Sequence, residues 1–173
     1  MKRLLLAAAL SLLTTTSAMA QTVYIVRHAE KADASADPVL SAAGETRARA
    51  LLRIMSGDRP DFIITSPLRR TVLTAQPTAM ARSLPIEAID FEGGVEGHVG
   101  RIVAQVRDLQ ADQTVLIVGH SNTVPLIARA LGYAEAADMP ECEFDRLTVL
   151  HVMGDSAHGQ VSRYGAASTC PTE

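Results

Sequence analysis

Three short apolar runs, each ending abruptly in charge, constrain this chain more than any other feature. Thr22–Val26 (TVYIV) runs into Arg27-His28, Asp61–Thr65 (DFIIT) into Ser66-Pro67-Leu68-Arg69-Arg70, and Thr114–Val118 (TVLIV) into Gly119-His120-Ser121-Asn122. Runs of β-branched and aliphatic residues with no polar alternation mark strands buried on both faces. Helical segments lie between them. Residues 40–55 are Ala-rich, with Ser41 as N-cap and Gly57 as stop. Residues 67–81 open on Ser66 as cap with Pro67 at the first helical position. Residues 96–109 place Val99, Ile102, Val103, Val106 and Leu109 at helical spacing, and residues 122–131 form a fourth helix. A short strand is expected at 85–89, and two more at 146–153 and 161–164 around a turn at 154–159. Strands alternating with helices predict an α/β three-layer sandwich: a mostly parallel central sheet, helices on both faces and an antiparallel edge.

The first twenty residues stand apart. Lys2 and Arg3 precede an apolar run, Leu4–Leu13, and Ala18-Met19-Ala20 has the small-x-small pattern of a cleavage site. This is read as a secretory signal peptide over 1–20, leaving a single domain over 21–173. The apolar run is shorter than the roughly 20 residues that span a bilayer, and no cysteine near the cleavage point offers a lipid attachment, so no stable membrane anchor is expected. The expected location is periplasmic or secreted. In an oxidising compartment Cys142 and Cys170 can pair; a disulfide and two free thiols are equally compatible with the sequence.

Formal net charge is −3, and loss of Lys2 and Arg3 makes the remainder more acidic, which argues against nucleic acid as a partner. Three Phe, three Tyr and no Trp leave the core to aliphatics and argue against a glycan-stacking module. No C-x-x-C, H-E-x-x-H or G-x-x-x-x-G-K-[ST] pattern occurs, which counts against redox catalysis, zinc chemistry and a nucleotide-cradling loop. Oligomeric state is not readable from the sequence.

In parallel sheets, ligands bind beyond the carboxyl ends of the strands. Arg27 and His28, Arg69 and Arg70, and His120 all fall at that edge. Guanidinium forks match the tetrahedral oxygens of a phosphoryl group, and helix N-termini near Ser66 and Asn122 would add backbone N–H donors. A neutral imidazole can also attack phosphorus at neutral pH, provided its other nitrogen keeps a proton on a fixed acceptor. The cations and the second imidazole would stabilise the transition state, and a separate acid would protonate the leaving alcohol. These residues do not say which histidine attacks.

Arg27-His28-Ala29-Glu30 resembles the RHG/RHA signature of the histidine phosphatase superfamily, the group that includes phosphoglycerate mutases. Ser66-Pro67-Leu68-Arg69-Arg70-Thr71-x-x-Thr74-Ala75 resembles its SPLxRAxxTA segment, Val118–Asn122 its second-histidine motif, and Leu40-Ser41-x-x-Gly44-x-x-Arg47-Ala48 its helix opening. The four occur in the expected order between Val23 and about Leu131. The resemblance implies His28 as nucleophile, forming a phosphohistidine, with Arg27, Arg70 and His120 holding the phosphate and with no metal or other cofactor. It implies as general acid a glutamate some two dozen residues after Arg70; Glu96 is favoured over Glu92, while some small members have no evident acid.

The expected activity is hydrolysis of phosphomonoesters, or of phosphohistidine, on a small phosphorylated substrate. Mutase activity is disfavoured, since export removes the chain from glycolytic intermediates. A non-catalytic periplasmic phosphate-binding module is the alternative, and a metallohydrolase a remote third. His98 is read as a solvated helix position, His151 and His158 as structural or exposed, and Glu30 and Lys31 as part of the pocket entrance or a polar loop.

Overall fold

The computed structural model describes residues 20–171, so the signal-peptide expectation falls, but for Ala20, outside the described residues. In chain order the elements are β1 (Gln21–Arg27), α1 (Ala42–Ile54), β2 (Phe62–Thr65), α2 (Arg69–Arg82), β3 (Glu87–Ala88), α3 (Gly94–Asp108), β4 (Thr114–Gly119), α4 (Val124–Ala130), β5 (Arg146–Met153) and β6 (Ser156–Arg163).

All six strands join one sheet in the order β3-β2-β4-β1-β5-β6. β1, β2, β3 and β4 run parallel, whereas β5 pairs antiparallel with β1 and β6 antiparallel with β5. The side-chain alternation of β1 sorts the core into two layers. Val23 and Ile25 pack with α3 and α4 through Ile102, Val106, Ile127 and Leu131. Tyr24 and Val26 pack on the other face with α1 and α2 through Leu51, Met55, Ala75 and Ala79. The expected mixed α/β architecture, with its antiparallel edge, is borne out. No helix of the described residues is long and apolar enough to cross a membrane.

Three local expectations are corrected. β6 begins at Ser156, directly after a two-residue turn at Gly154-Asp155, with Met153 opposite Ser156. Gly154 supplies the positive φ (61°) such a tight turn requires. Its sequence SAHGQVSR is largely exposed at the sheet edge, so no apolar run advertises it as strand. α1 keeps Ser41 as N-cap, its side chain accepting from the Gly44 N–H, but ends at a Met55 C-cap two residues before Gly57. α2 begins at Arg69 with Leu68 as an N-cap that makes no side-chain bond. Ser66, the expected cap, has its hydroxyl engaged elsewhere.

Candidate active site

Side-by-side pairing brings the functional groups together. β4 lies between β1 and β2, with Arg27 opposite Gly119 and Thr65 opposite Val118. His28 N–H donates to the Gly119 carbonyl (2.9 Å), so the chain leaving β1 stays level with the end of β4. One pocket of about 360 Å³ opens at this edge, lined by Arg27, His28, Lys31, Leu68, Arg70, Phe91, His120, Ser121, Asn122 and Glu141.

His28 is buried, and its Nδ1 lies 2.8 Å from the carbonyl of Ala29. A carbonyl only accepts, so Nδ1 carries the proton and the Nε2 lone pair is left free. Burial pushes the His28 pKa down to about 4; the Ala29 bond opposes this, and Arg27, Arg70 and Lys31 reinforce it. The ring centroid of His120 is 5.3 Å from that of His28.

His120 is fixed from two sides. Its Nε2 is 2.9 Å from Ser66 Oγ, and its Nδ1 faces an Arg70 terminal nitrogen at 3.5 Å. Ser66 Oγ continues to Thr71 Oγ1 (2.9 Å), which donates to the Leu68 carbonyl (2.7 Å). Burial, then the neighbouring His28 and Arg70, hold the His120 pKa down at about 3. Phe91 walls the same side, 5.9 Å from His120, and stacks at 4.2 Å on His98. His98 is fully buried, its Nδ1 on the Asp90 carbonyl (2.8 Å), which corrects the solvated placement. Phe91 covers it.

Arg27 is buried and almost wholly committed. One terminal nitrogen donates to the carbonyls of Pro140 (3.1 Å), Glu141 (2.7 Å) and Glu143 (3.2 Å). The other donates to the Glu141 carboxylate at 2.7 Å. The guanidinium lies over the Phe144 ring, 4.2 Å from its centroid. Burial pushes its pKa down, and Glu141 opposes the shift. The 140–143 loop that surrounds it is tied to the C-terminal tail by a disulfide between Cys142 and Cys170. Arg70 is held more loosely, with the Ala36 carbonyl at 3.4 Å and Asp37 at 3.9 Å. Arg69 is exposed and outside the pocket; its backbone N–H is taken by Asp37 (2.8 Å), so the chain's own carboxylate occupies that donor at the start of α2.

The structure thus brings Arg27, His28, Arg70 and His120 to one pocket. It does not bring Glu96 there: Glu96 is exposed and lines a separate groove with Val95, Val99, Leu126, Arg129 and Ala130. Glu92 is exposed too and does not line the histidine pocket. α3 begins two residues before Glu96 and carries it away from the sheet edge. Among the described residues the pocket's carboxylate is Glu141, which also accepts from Ser121 Oγ. Sequence reasoning missed it because its partner Arg27 lies more than a hundred residues away. Ser66 was visible within SPLRRT but read as a helix cap, and Thr71 only as part of that segment. Among the described residues, no group of three or more His, Cys, Asp or Glu gathers as a metal site.

Two imidazoles and two guanidiniums thus stand together at the carboxyl edge of a parallel sheet, an arrangement that matches the oxygens of a tetrahedral anion. Residues 23–90 match the family model of the histidine phosphatase superfamily (branch 1), and the recognition made from the motifs is borne out. The chain is 28% identical over 153 residues to Phosphoserine phosphatase 1 of Hydrogenobacter thermophilus, covering 60% of this chain and 72% of that protein. It superposes on the protein histidine phosphatase SixA complexed with tungstate with a TM-score of 0.62 at 19% identity, covering 85% of this chain and 96% of that one. It likewise matches mycobacterial glucosyl-3-phosphoglycerate phosphatase in complex with inorganic phosphate, with a TM-score of 0.62 at 17% identity and coverage of 86% and 98%. At these identities the structural likeness shows the fold.

Proposed function

We propose that this chain hydrolyses phosphomonoesters through a phosphohistidine on His28. The observation that carries the reading is the His28 Nδ1 contact with the Ala29 carbonyl. It presents Nε2 as a lone pair in a pocket shared with Arg27, Arg70 and His120. Nε2 attacks phosphorus as the P–O bond to the alcohol breaks, and the Ala29 carbonyl stabilises the positive charge that develops on the ring. Arg70 and the free face of Arg27 take the equatorial oxygens. His120, neutral with its Nδ1 lone pair toward Arg70, steadies that guanidinium beside the phosphoryl oxygens. Water then cleaves the phosphohistidine.

The activities these relatives are named for, on phosphoserine, protein phosphohistidine and glucosyl-3-phosphoglycerate, share the phosphoryl group and little else. The reading therefore commits to that group and leaves phosphohistidine within range. The Cys142–Cys170 pair supports export to an oxidising, periplasmic or extracellular location. A non-catalytic phosphate-binding module is favoured by one observation, the absence of Glu96 from the pocket.

The test uses a labelled phosphomonoester quenched during turnover. The expected result is acid-labile, base-stable label on His28, absent from His28→Ala. Full turnover by His28→Ala would sink the proposal. Binding of an aryl phosphate without release of the phenol would favour the module.

A further inference from the structure

We propose that Glu141 is the proton donor to the leaving alcohol, and that the arriving phosphoryl group releases it for that task. This rests on the phosphohistidine reading of the site. Glu141 is the one carboxylate among the described residues that line the pocket. Its carboxylate is shared between Arg27, at 2.7 Å, and Ser121 Oγ. Its side chain is 82% exposed whereas that of Arg27 is 3% exposed, so the pair spans the pocket from wall to rim.

The donors of Arg27 set the carboxylate and an arriving oxyanion in competition. One terminal nitrogen is spent on three carbonyls of the 140–143 loop, and Nε is buried without a partner. The nitrogen on Glu141 is therefore the one an oxyanion approaches, and there it competes with the carboxylate for the same cation and can displace it. Glu141 is held ionised by the Ser121 hydrogen bond and the Arg27 charge. Once displaced it loses the cation and stands beside a phosphoryl anion, and both changes favour its neutral form. The proton comes from solvent or from the phosphate monoanion, whose second pKa is about 6.

The geometry suits this role. His28 is 3% exposed and forms the floor. In-line attack from the floor sends the leaving oxygen outward, toward the rim that Glu141 occupies. As the Nε2–P bond forms and the P–O bond breaks, the bonding pair passes to the leaving oxygen, which takes the proton from Glu141. In the second half, water attacks phosphorus and gives a proton to the Glu141 carboxylate. The P–Nε2 bond breaks with its electron pair returning to His28. The loop carbonyls on Arg27 and the neighbouring Cys142–Cys170 bond keep the Glu141 backbone in place while its side chain moves.

The test compares first-turnover rates of wild type, Glu141→Gln and Glu141→Asp on p-nitrophenyl phosphate and on an alkyl phosphate such as glycerol phosphate. General acids contribute about 10²- to 10⁴-fold, chiefly where the leaving group is poor. Glu141→Gln is expected to lose at least about 100-fold on the alkyl phosphate and less than about tenfold on the aryl phosphate. It should also lose the alkaline limb of the pH profile, with partial recovery in Glu141→Asp. Equal loss on both substrates means that Glu141 only positions Arg27, and overturns the assignment. No loss on either also overturns it. Label on His28 in those cases leaves the phosphohistidine reading intact; wild type with no turnover and no label on His28 overturns both.

Discussion

His120 Nε2 lies 2.9 Å from Ser66 Oγ, and this contact sets the tautomer of the second histidine. Arg70 can only donate, so Nδ1 facing it is the acceptor and Nε2 carries the hydrogen given to Ser66. Ser66 in turn can donate to Thr71, which donates to the Leu68 carbonyl. The serine of the SPLRRT segment thus acts as an anchor for an imidazole fifty-four residues away rather than as a helix cap.

Ser66→Ala removes that anchor and leaves a buried N–H unpaired. A lost partner of this kind costs about 1–3 kcal/mol of stability, and a misoriented His120 should lower kcat/KM about tenfold or more, equivalent to about 1.4 kcal/mol. Urea unfolding and steady-state kinetics on an aryl phosphate check the two effects. Unchanged kinetics would show that His120 is held well enough by Arg70 alone.

The pH response follows from the two buried rings. An imidazole ordinarily titrates near 6.5, but His28 is pushed down to about 4 and His120 to about 3. Both are therefore neutral through pH 5, and ring ¹⁵N shifts should stay those of neutral imidazole from pH 8 to 5. A ring titrating near 6.5 would contradict the burial argument. The unfolded chain binds protons below about 6.5 while the folded chain does not, so stability falls as pH drops from about 6.5 toward the folded values and the effect then levels. Replacing either histidine by a non-titrating residue should make that acid-side slope shallower.

The sheet was readable because its central strands announce themselves. TVYIV, DFIIT and TVLIV are apolar throughout, and their charged ends pointed to Arg27, His28, Arg69, Arg70 and His120, from which the family resemblance chose Arg70 over Arg69. β6 was half lost because an exposed edge strand needs no apolar residues. Glu96 was expected in the pocket from its spacing to Arg70, but spacing along the chain does not report which way a helix leaves the sheet. Glu141 reaches Arg27 by a loop that returns from the far end of the fold, and no local pattern encodes such a contact.

Gly44 predicts a steric failure. A Cβ there would sit 2.3 Å from the Glu30 carbonyl oxygen, which also accepts from Ser41 N–H at 2.9 Å. Glu30 is two residues past His28, and its carboxylate is gripped by the buried Arg47, whose Nε is 3.0 Å from each oxygen. Gly44→Ala must push the backbone apart or tilt α1, at about 1–3 kcal/mol. Thermal unfolding should show the loss, and turnover should fall with it because the displaced segment carries His28, the proposed nucleophile.

The disulfide should act on the pocket as well as on stability. Cys142 and Cys170 are 28 residues apart, and closing a loop of that length is worth about 3–4 kcal/mol in the chain-entropy account. Cys142 sits between the two glutamates whose carbonyls, with that of Pro140, hold one nitrogen of Arg27. Reduction frees the tail and lets this loop relax, so Arg27 loses part of its fixed orientation. The Cys142→Ser/Cys170→Ser variant should therefore unfold at lower urea and show a KM for aryl phosphate raised several-fold. Its kcat should change less, because His28 is held separately through Ala29 and Gly119. A stability loss with KM unchanged would show that the three carbonyls fix Arg27 without help from the bond.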